Sequence, residues 1–157
     1  MNIPLPLLIS YNLSIFGLVI IIFILPYMEK KLSTHAANLK DYGKLKNYTH
    51  KCISKNHTCG DKIKIYLKIN KNIIKKVSYE TESCLICSAS SSIFANCLKN
   101  KNINKILIFS KKFIKLIFNK NFNLTGKWKE LNFLLKKKYF NRKSCITVPF
   151  NALIKIK

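Results

Sequence analysis

Lys62-Ile63-Lys64-Ile65-Tyr66-Leu67-Lys68-Ile69 alternates without a break. Ile63, Ile65, Leu67 and Ile69 fall on one side, and Lys62, Lys64, Tyr66 and Lys68 on the other. Successive side chains of a strand point to opposite faces, so this stretch predicts a strand with one apolar and one wet face. Asn70-Lys71-Asn72 reads as a short turn, and Ile73–Glu80 (IIKKVSYE) as a second strand. Two such runs joined by a short polar turn make an antiparallel hairpin.

Helical patterns lie on both sides of the hairpin. Upstream, Glu29–Leu39 carries Leu32, Ala36 and Leu39 at helical spacing, and Asp41-Tyr42-Gly43 reads as its stop. Downstream, Ser88–Leu98 predicts a helix with Ala89, Ile93, Phe94 and Cys97 on one side. Asn102 is placed to cap a further helix over Ile103–Phe118. Lys120–Gly126 reads as a loop, and Trp128–Leu135 as helical. Val148-Pro149-Phe150 reads as the opening of a last helix, with Pro149 in its first turn. The pattern predicts an α+β domain, a small antiparallel sheet packed against helices.

The chain of 157 residues suits one ordinary domain able to bury a core without disulfides. Hydrophobic residues at 48% exclude wholesale disorder. The outlier is charge: 29 basic residues stand against 6 acidic ones, a net +23. Such a surface attracts nucleic acid, anionic lipid or an acidic partner. All the basic residues but Arg142 are Lys, and Asn and Ile are also in excess, as A/T-rich codon drift would produce. A reader of DNA sequence would keep arginines, whose rigid fork grips guanine and phosphate. A basic module binding RNA or an anionic membrane therefore stands behind the readings below.

Residues 1–27 differ from the rest. Leu13–Leu25 (LSIFGLVIIIFIL) is densely apolar, and Leu7–Tyr27 is long enough to cross a bilayer of ~30 Å hydrocarbon. Lys30 and Lys31 follow, so the positive-inside rule would leave the remainder in the cytoplasm, tethered to a membrane face. A cleaved signal is less convincing, since no basic region precedes the apolar run and no small-x-small site follows it. Met28 as the true start, with 1–27 an over-extended reading frame, fits the sequence equally. The domain proper is then 28–157.

Six cysteines occupy positions 52, 59, 84, 87, 97 and 145. No secretory context supports disulfides, so reduced thiols with metal or sulfur chemistry fit better. Cys59, Cys84 and Cys145 lie at the edges of predicted elements. Unpaired N–H groups at helix starts favour a thiolate there, which makes a better ligand and nucleophile. With Asp61 they would form a four-ligand site, and soft sulfur donors select iron–sulfur clusters, Zn or Cu(I). Burial as a small hydrophobe is the other reading of each cysteine. It is assigned to Cys97, on the apolar side of its helix, while Cys52 stays unassigned. Cys84-Leu85-Ile86-Cys87 is a CxxC without a second CxxC to make a zinc ribbon. His57 reads as a loop residue, and His35 and His50 have no ligand pattern around them.

Three motifs in order combine into a resemblance. Thr58-Cys59-Gly60-Asp61 before an alternating strand resembles the first cysteine motif of the NifU/SufU-type iron–sulfur cluster assembly scaffolds. Cys84-Leu85-Ile86-Cys87-Ser88-Ala89-Ser90-Ser91-Ser92 resembles their second, and Arg142–Leu153 (RKSCITVPFNAL) their third. The likeness covers roughly residues 28–157 and implies the SufE/NifU-like fold. It also implies a scaffold rather than an enzyme. A cysteine desulfurase would deliver sulfur, and the cluster built with iron would pass to apo iron–sulfur proteins. Carried over by position, the ligands are Cys59, Cys84 and Cys145 with Asp61, and Cys59 is the candidate persulfide acceptor. In SufU-like members the same constellation binds zinc and carries persulfide.

The departures have direction. Thr81 and Ser83 replace the family's glycines before the second cysteine. Cys87 stands where many members have Ser, which makes it a candidate fifth ligand or sulfur relay. The Leu-Pro-Pro-Val-Lys motif and the His beside the third cysteine are absent, Ser144 standing in the latter place. These point to the SufU-like side, without the C-terminal carrier domain of full NifU proteins.

Overall fold

A computed structural model describes residues 25–117, 119 and 122–156. The anchor, signal and start-site readings of residues 1–27 fall almost wholly outside the described residues. Among those described, no helix is long and apolar enough to cross a membrane. The chain divides into units Met1–Leu32 and Ser33–Lys157, with α1 (Leu25–Ala36) running through the boundary. The expected helix over 29–39 thus starts earlier and ends sooner.

Within the second unit, three strands form an antiparallel sheet in the order β1 (His50–Lys55), β2 (Lys62–Asn70), β3 (Ile73–Glu82). The hairpin is as the alternation predicts. Asn70 pairs with Ile73, and Lys71 and Asn72 make the turn with φ of 46° and 61°. Positive φ at both central residues matches the right-handed twist of the strands, and Asn adopts it at low cost. Ile63, Ile65 and Leu67 are buried as expected. Tyr66 is a correction: expected on the wet face, it is 2% exposed. The Tyr48 ring covers it at 5.1 Å, and its hydroxyl donates to Glu80 Oε2 at 2.7 Å. A partner outside the strand thus makes this one position dry, while Lys62, Lys64 and Lys68 on the same face keep contact with solvent.

β1 is an edge strand with no strand pattern of its own. His50-Lys51-Cys52-Ile53-Ser54-Lys55 holds one aliphatic residue, and that one is 43% exposed. Its buried positions are Cys52 and Ser54. Pairing with β2 makes it a strand.

Helix α2 (Leu85–Leu98) is central and buried along most of its length. Ala89, Ser90, Ser91 and Ser92 are small enough for sheet and helices to approach it closely. Two of the hydroxyls find buried partners: Ser90 donates to the Ile146 carbonyl and Ser91 to that of Cys87, each at 2.7 Å. Helix α3 (Ile103–Leu116) starts where Asn102 predicts it. The Asn102 side chain accepts from the N–H groups of Asn104 (3.0 Å) and Lys105 (3.3 Å), satisfying two donors of the first turn. Gly126–Leu135 and Lys137–Arg142 are 3-10 turns, and α4 (Lys143–Leu153) closes the fold.

The core between the helices is aromatic. Phe113 and Phe150 stack at 4.1 Å, Phe94 meets Phe150 at 4.5 Å, and Phe109 stacks on Trp128 at 4.4 Å. Burying a Phe side chain contributes roughly 1.5–3 kcal/mol. This cluster clamps α4 to α2 and α3, and so determines where the start of α4 lies.

Candidate metal and sulfur site

The loop between β1 and β2, residues 56–61, is held by its own hydrogen bonds. Asn56 N–H donates to the Asp61 carbonyl at 2.7 Å, and Gly60 N–H to that of Asn56 at 2.9 Å. Asn56 Oδ1 accepts from Thr58 N–H at 3.1 Å. Gly60 has φ of +77°, a conformation that favours glycine. The tight turn presents Cys59, exposed, and Asp61, 2% exposed, on the same side.

Asp61 ties this loop to α2. Its Oδ1 accepts from Cys84 N–H at 2.8 Å, and its Oδ2 from Cys59 Sγ–H at 2.7 Å, with Cys84 Sγ at 3.6 Å. Cys84 is the N-cap of α2 in extended conformation, and its side chain makes no cap bond. Asp61 instead fixes the cap residue through the Cys84 backbone N–H, and the Cys84 sulfur lies beside the carboxylate rather than over the helix start. Burial raises the Asp61 pKa, but hydrogen bonds from Cys59 Sγ, Cys84 N–H and Cys145 Sγ outweigh it and hold the carboxyl below its ordinary value.

Cys145 reaches the same point from the other side. Its Sγ lies 3.4 Å from Cys59 Sγ although 86 residues separate them. Two sequence expectations change here. The last helix starts at Lys143, so Cys145 sits in its first turn and Pro149 lies inside the helix rather than in its first turn. Proline lacks the N–H that would bond the Cys145 carbonyl four residues back, and packing of Phe150 compensates. The Cys145 thiol is also not softened by the helix start. Burial drives its pKa up, and the acceptors Cys59 and Asp61 add to this by stabilising the protonated form.

Cys59, Asp61 and Cys145 therefore form a tight group, their donor atoms all within 4.8 Å of one another. Cys84 joins through Asp61. Two soft thiols, a third beside them and a hard carboxylate suit zinc or an iron–sulfur cluster. Cys87 stays outside the tight group, fully buried three residues along α2, with burial raising its pKa to about 12. Cys97 is 1% exposed in the core, as its helical position predicts. Cys52, which no sequence pattern assigns, is likewise buried, and its pKa rises to about 11.

Sequence reading misses Asn56, although its Nδ2 donates to Cys59 Sγ at 2.8 Å and reaches Cys145 Sγ at 3.8 Å. Asn two residues ahead of Thr58 is an Asx-turn signal, and it could be found on that ground. Ser90 has a role that its motif does not reveal. Its bond to Ile146 links α2 and α4, the two helices whose starts carry Cys84 and Cys145.

A hairpin-centred α+β fold with cysteines at two helix starts and a Cys-Gly-Asp turn defines a recognisable class. The chain belongs to the NifU-like N terminal domain family, whose description matches residues 27–121. Among curated relatives it is 31% identical over 101 residues to the zinc-dependent sulfurtransferase SufU of Bacillus subtilis, covering 64% of this chain and 69% of that one. It is 29% identical over 133 residues to the iron–sulfur cluster assembly scaffold protein IscU of Thermotoga maritima, covering 84% and 92%. Two solved structures share the fold. The NifU-like N-terminal protein of Brucella abortus has TM-score 0.70 at 19% identity, over 80% of this chain and 88% of that one. The SUF-system protein FiSufU of Fervidobacterium islandicum has TM-score 0.70 at 24% identity, over 78% and 90%.

Proposed function

We propose that this chain is an assembly scaffold that receives sulfur from a cysteine desulfurase, builds an iron–sulfur cluster as cargo and passes it to apo-proteins. The observation that carries the reading is the convergence of Cys59, Asp61 and Cys145, from a turn and a helix start 86 residues apart, with Cys84 beside them. Ligands on separate segments suit a cargo that must be held and then released. Family membership and the named scaffold relatives support it. Residues 28–157 form the working domain in this reading, acting in the cytoplasm. Cys59, Asp61, Cys84 and Cys145 hold the cargo.

A second reading, sulfur transfer at a zinc site, is favoured by the contrast between exposed Cys59 and buried Cys145. A thiol that must meet a donor enzyme has to be reachable, which makes Cys59 the persulfide acceptor. The similarity to a sulfurtransferase of the same family supports this reading.

The full chain, purified anaerobically, is assayed for metal and then given iron, cysteine and a cysteine desulfurase. Sulfide-to-iron absorption that disappears in Cys59→Ser is the result expected of a scaffold. Tightly held zinc with persulfide trapped on Cys59, and no such absorption, selects sulfur transfer instead. Neither metal nor persulfide would overturn both.

A further inference from the structure

Asn56 sits where the two sulfurs meet, and its amide orientation is decided by its neighbours. Thr58 N–H points at Oδ1, so the NH2 end faces the thiols. From there Nδ2 is 2.8 Å from Cys59 Sγ and 3.8 Å from Cys145 Sγ, and the sulfurs are 3.4 Å apart. We propose that Asn56 is a positioning residue: its two amide hydrogens hold Cys59 and Cys145 as a pair and stabilise the negative charge their sulfurs carry when they hold metal or cluster. This rests on the assignment of those cysteines as ligands.

The physical case is one of complementary groups. A thiolate is an acceptor with no proton to give, and metal-bound sulfur keeps much of that charge. Asp61, the other polar side chain on Cys59, has no hydrogen to offer a metal-bound sulfur, because a carboxylate can only accept. Asn56 alone among these contacts offers hydrogens to both sulfurs. Groups that hydrogen-bond to metal ligands set their orientation and charge, and removing one typically weakens metal affinity by about 10–100-fold. The loop itself uses the other end of Asn56, so the two roles are separable by chemistry. Asn56→Asp keeps the acceptor for Thr58 N–H and nearly the same volume, but has no hydrogen for sulfur. Asn56→Ala loses both.

The test uses the full chain loaded with zinc, with affinity read by competition against a chromophoric chelator, and Co(II) in place of zinc to read the sulfur-to-metal charge-transfer band. Asn56→Asp is expected to bind zinc about 10-fold or more weaker and to shift the Co(II) band, while the metal-free protein melts as wild type does. Asn56→Gln, which restores a donor, should recover part of the affinity. Wild-type affinity in Asn56→Asp would overturn the proposal. So would tighter binding, which would make the new carboxylate a ligand. A loss matched by an equal fall in melting temperature would reduce Asn56 to a turn residue and also overturn it.

A wild-type chain that binds no metal would sink the functional reading separately. The pairing is then tested in the metal-free protein with dibromobimane, which fluoresces after bridging two thiols. Cys59–Cys145 bridging several-fold slower in Asn56→Asp supports the positioning role, and equal rates refute it.

Discussion

Replacing Asp61 by Asn tests the centre of the site with one oxygen-to-nitrogen change. The carboxylate is 2% exposed and accepts from Cys84 N–H at 2.8 Å and from Cys59 Sγ–H at 2.7 Å. Asn keeps the first bond in neutral form and turns an NH2 toward the thiol, which must reverse from donor to acceptor. A hydrogen bond to a charged group is worth about 1.5–3 kcal/mol against roughly 1 for a neutral one. With two bonds weakened, the metal-free protein should lose about 2 kcal/mol, a Tm lower by about 4–8 °C. The sign with pH follows from the depressed Asp61 pKa. Its contribution is fully present above the unfolded value of about 3.9 and disappears as pH falls through the lower folded value. Urea unfolding of both proteins at pH 7 and stepwise down to pH 3 therefore gives curves that draw together once pH falls below about 4. An Asn variant as stable as wild type at pH 7, or a gap that stays constant with pH, would refute the claim that a charged Asp61 ties the loop to α2.

Cys59→Ser, Cys84→Ser and Cys145→Ser should each release bound zinc or iron far more readily than Cys97→Ser, measured by metal analysis after dialysis; equal retention across all four would dismantle the ligand assignment. Phe113→Ala should cost about 3–5 kcal/mol in urea melts, because its fully buried ring touches Phe109, Phe122 and Phe150. Ser110→Ala should stabilise by about 1 kcal/mol, since Ser110 Oγ is buried on α3 without a hydrogen-bond partner among the described residues. Metal-free protein should lose stability above about pH 8.5, where unfolded thiols ionise. The buried Cys52, Cys87 and Cys97 stay protonated, with pKa values raised by burial to about 11, 12 and 12. The folded state then binds more protons, each thiol adding at most about 1.4 kcal/mol per pH unit to the slope, and Cys97→Ala should flatten it by one such share.

Local patterns with a local cause are legible from the residues alone. The β2–β3 hairpin follows from alternation and a turn rich in Asn, and the start of α3 from the Asn102 side chain. The first two cysteine motifs mark a turn and a helix cap, both short-range structures, so Cys59, Asp61 and Cys84 fall on the elements their motifs predict. Tertiary structure decided what depends on partners distant in sequence. β1 exists because β2 pairs with it, and Tyr66 is dry because Tyr48 covers it. α4 runs through Pro149 because the aromatic cluster around Phe150 holds it. That long-range packing brings Cys145 within 3.4 Å of Cys59 and leaves Cys87 and Cys97 in the core. Residue type identifies a thiol as able to bind metal. Whether it meets another thiol across 86 residues, and which amide then bridges the two, is a matter of distance, and distance is set only when the core closes.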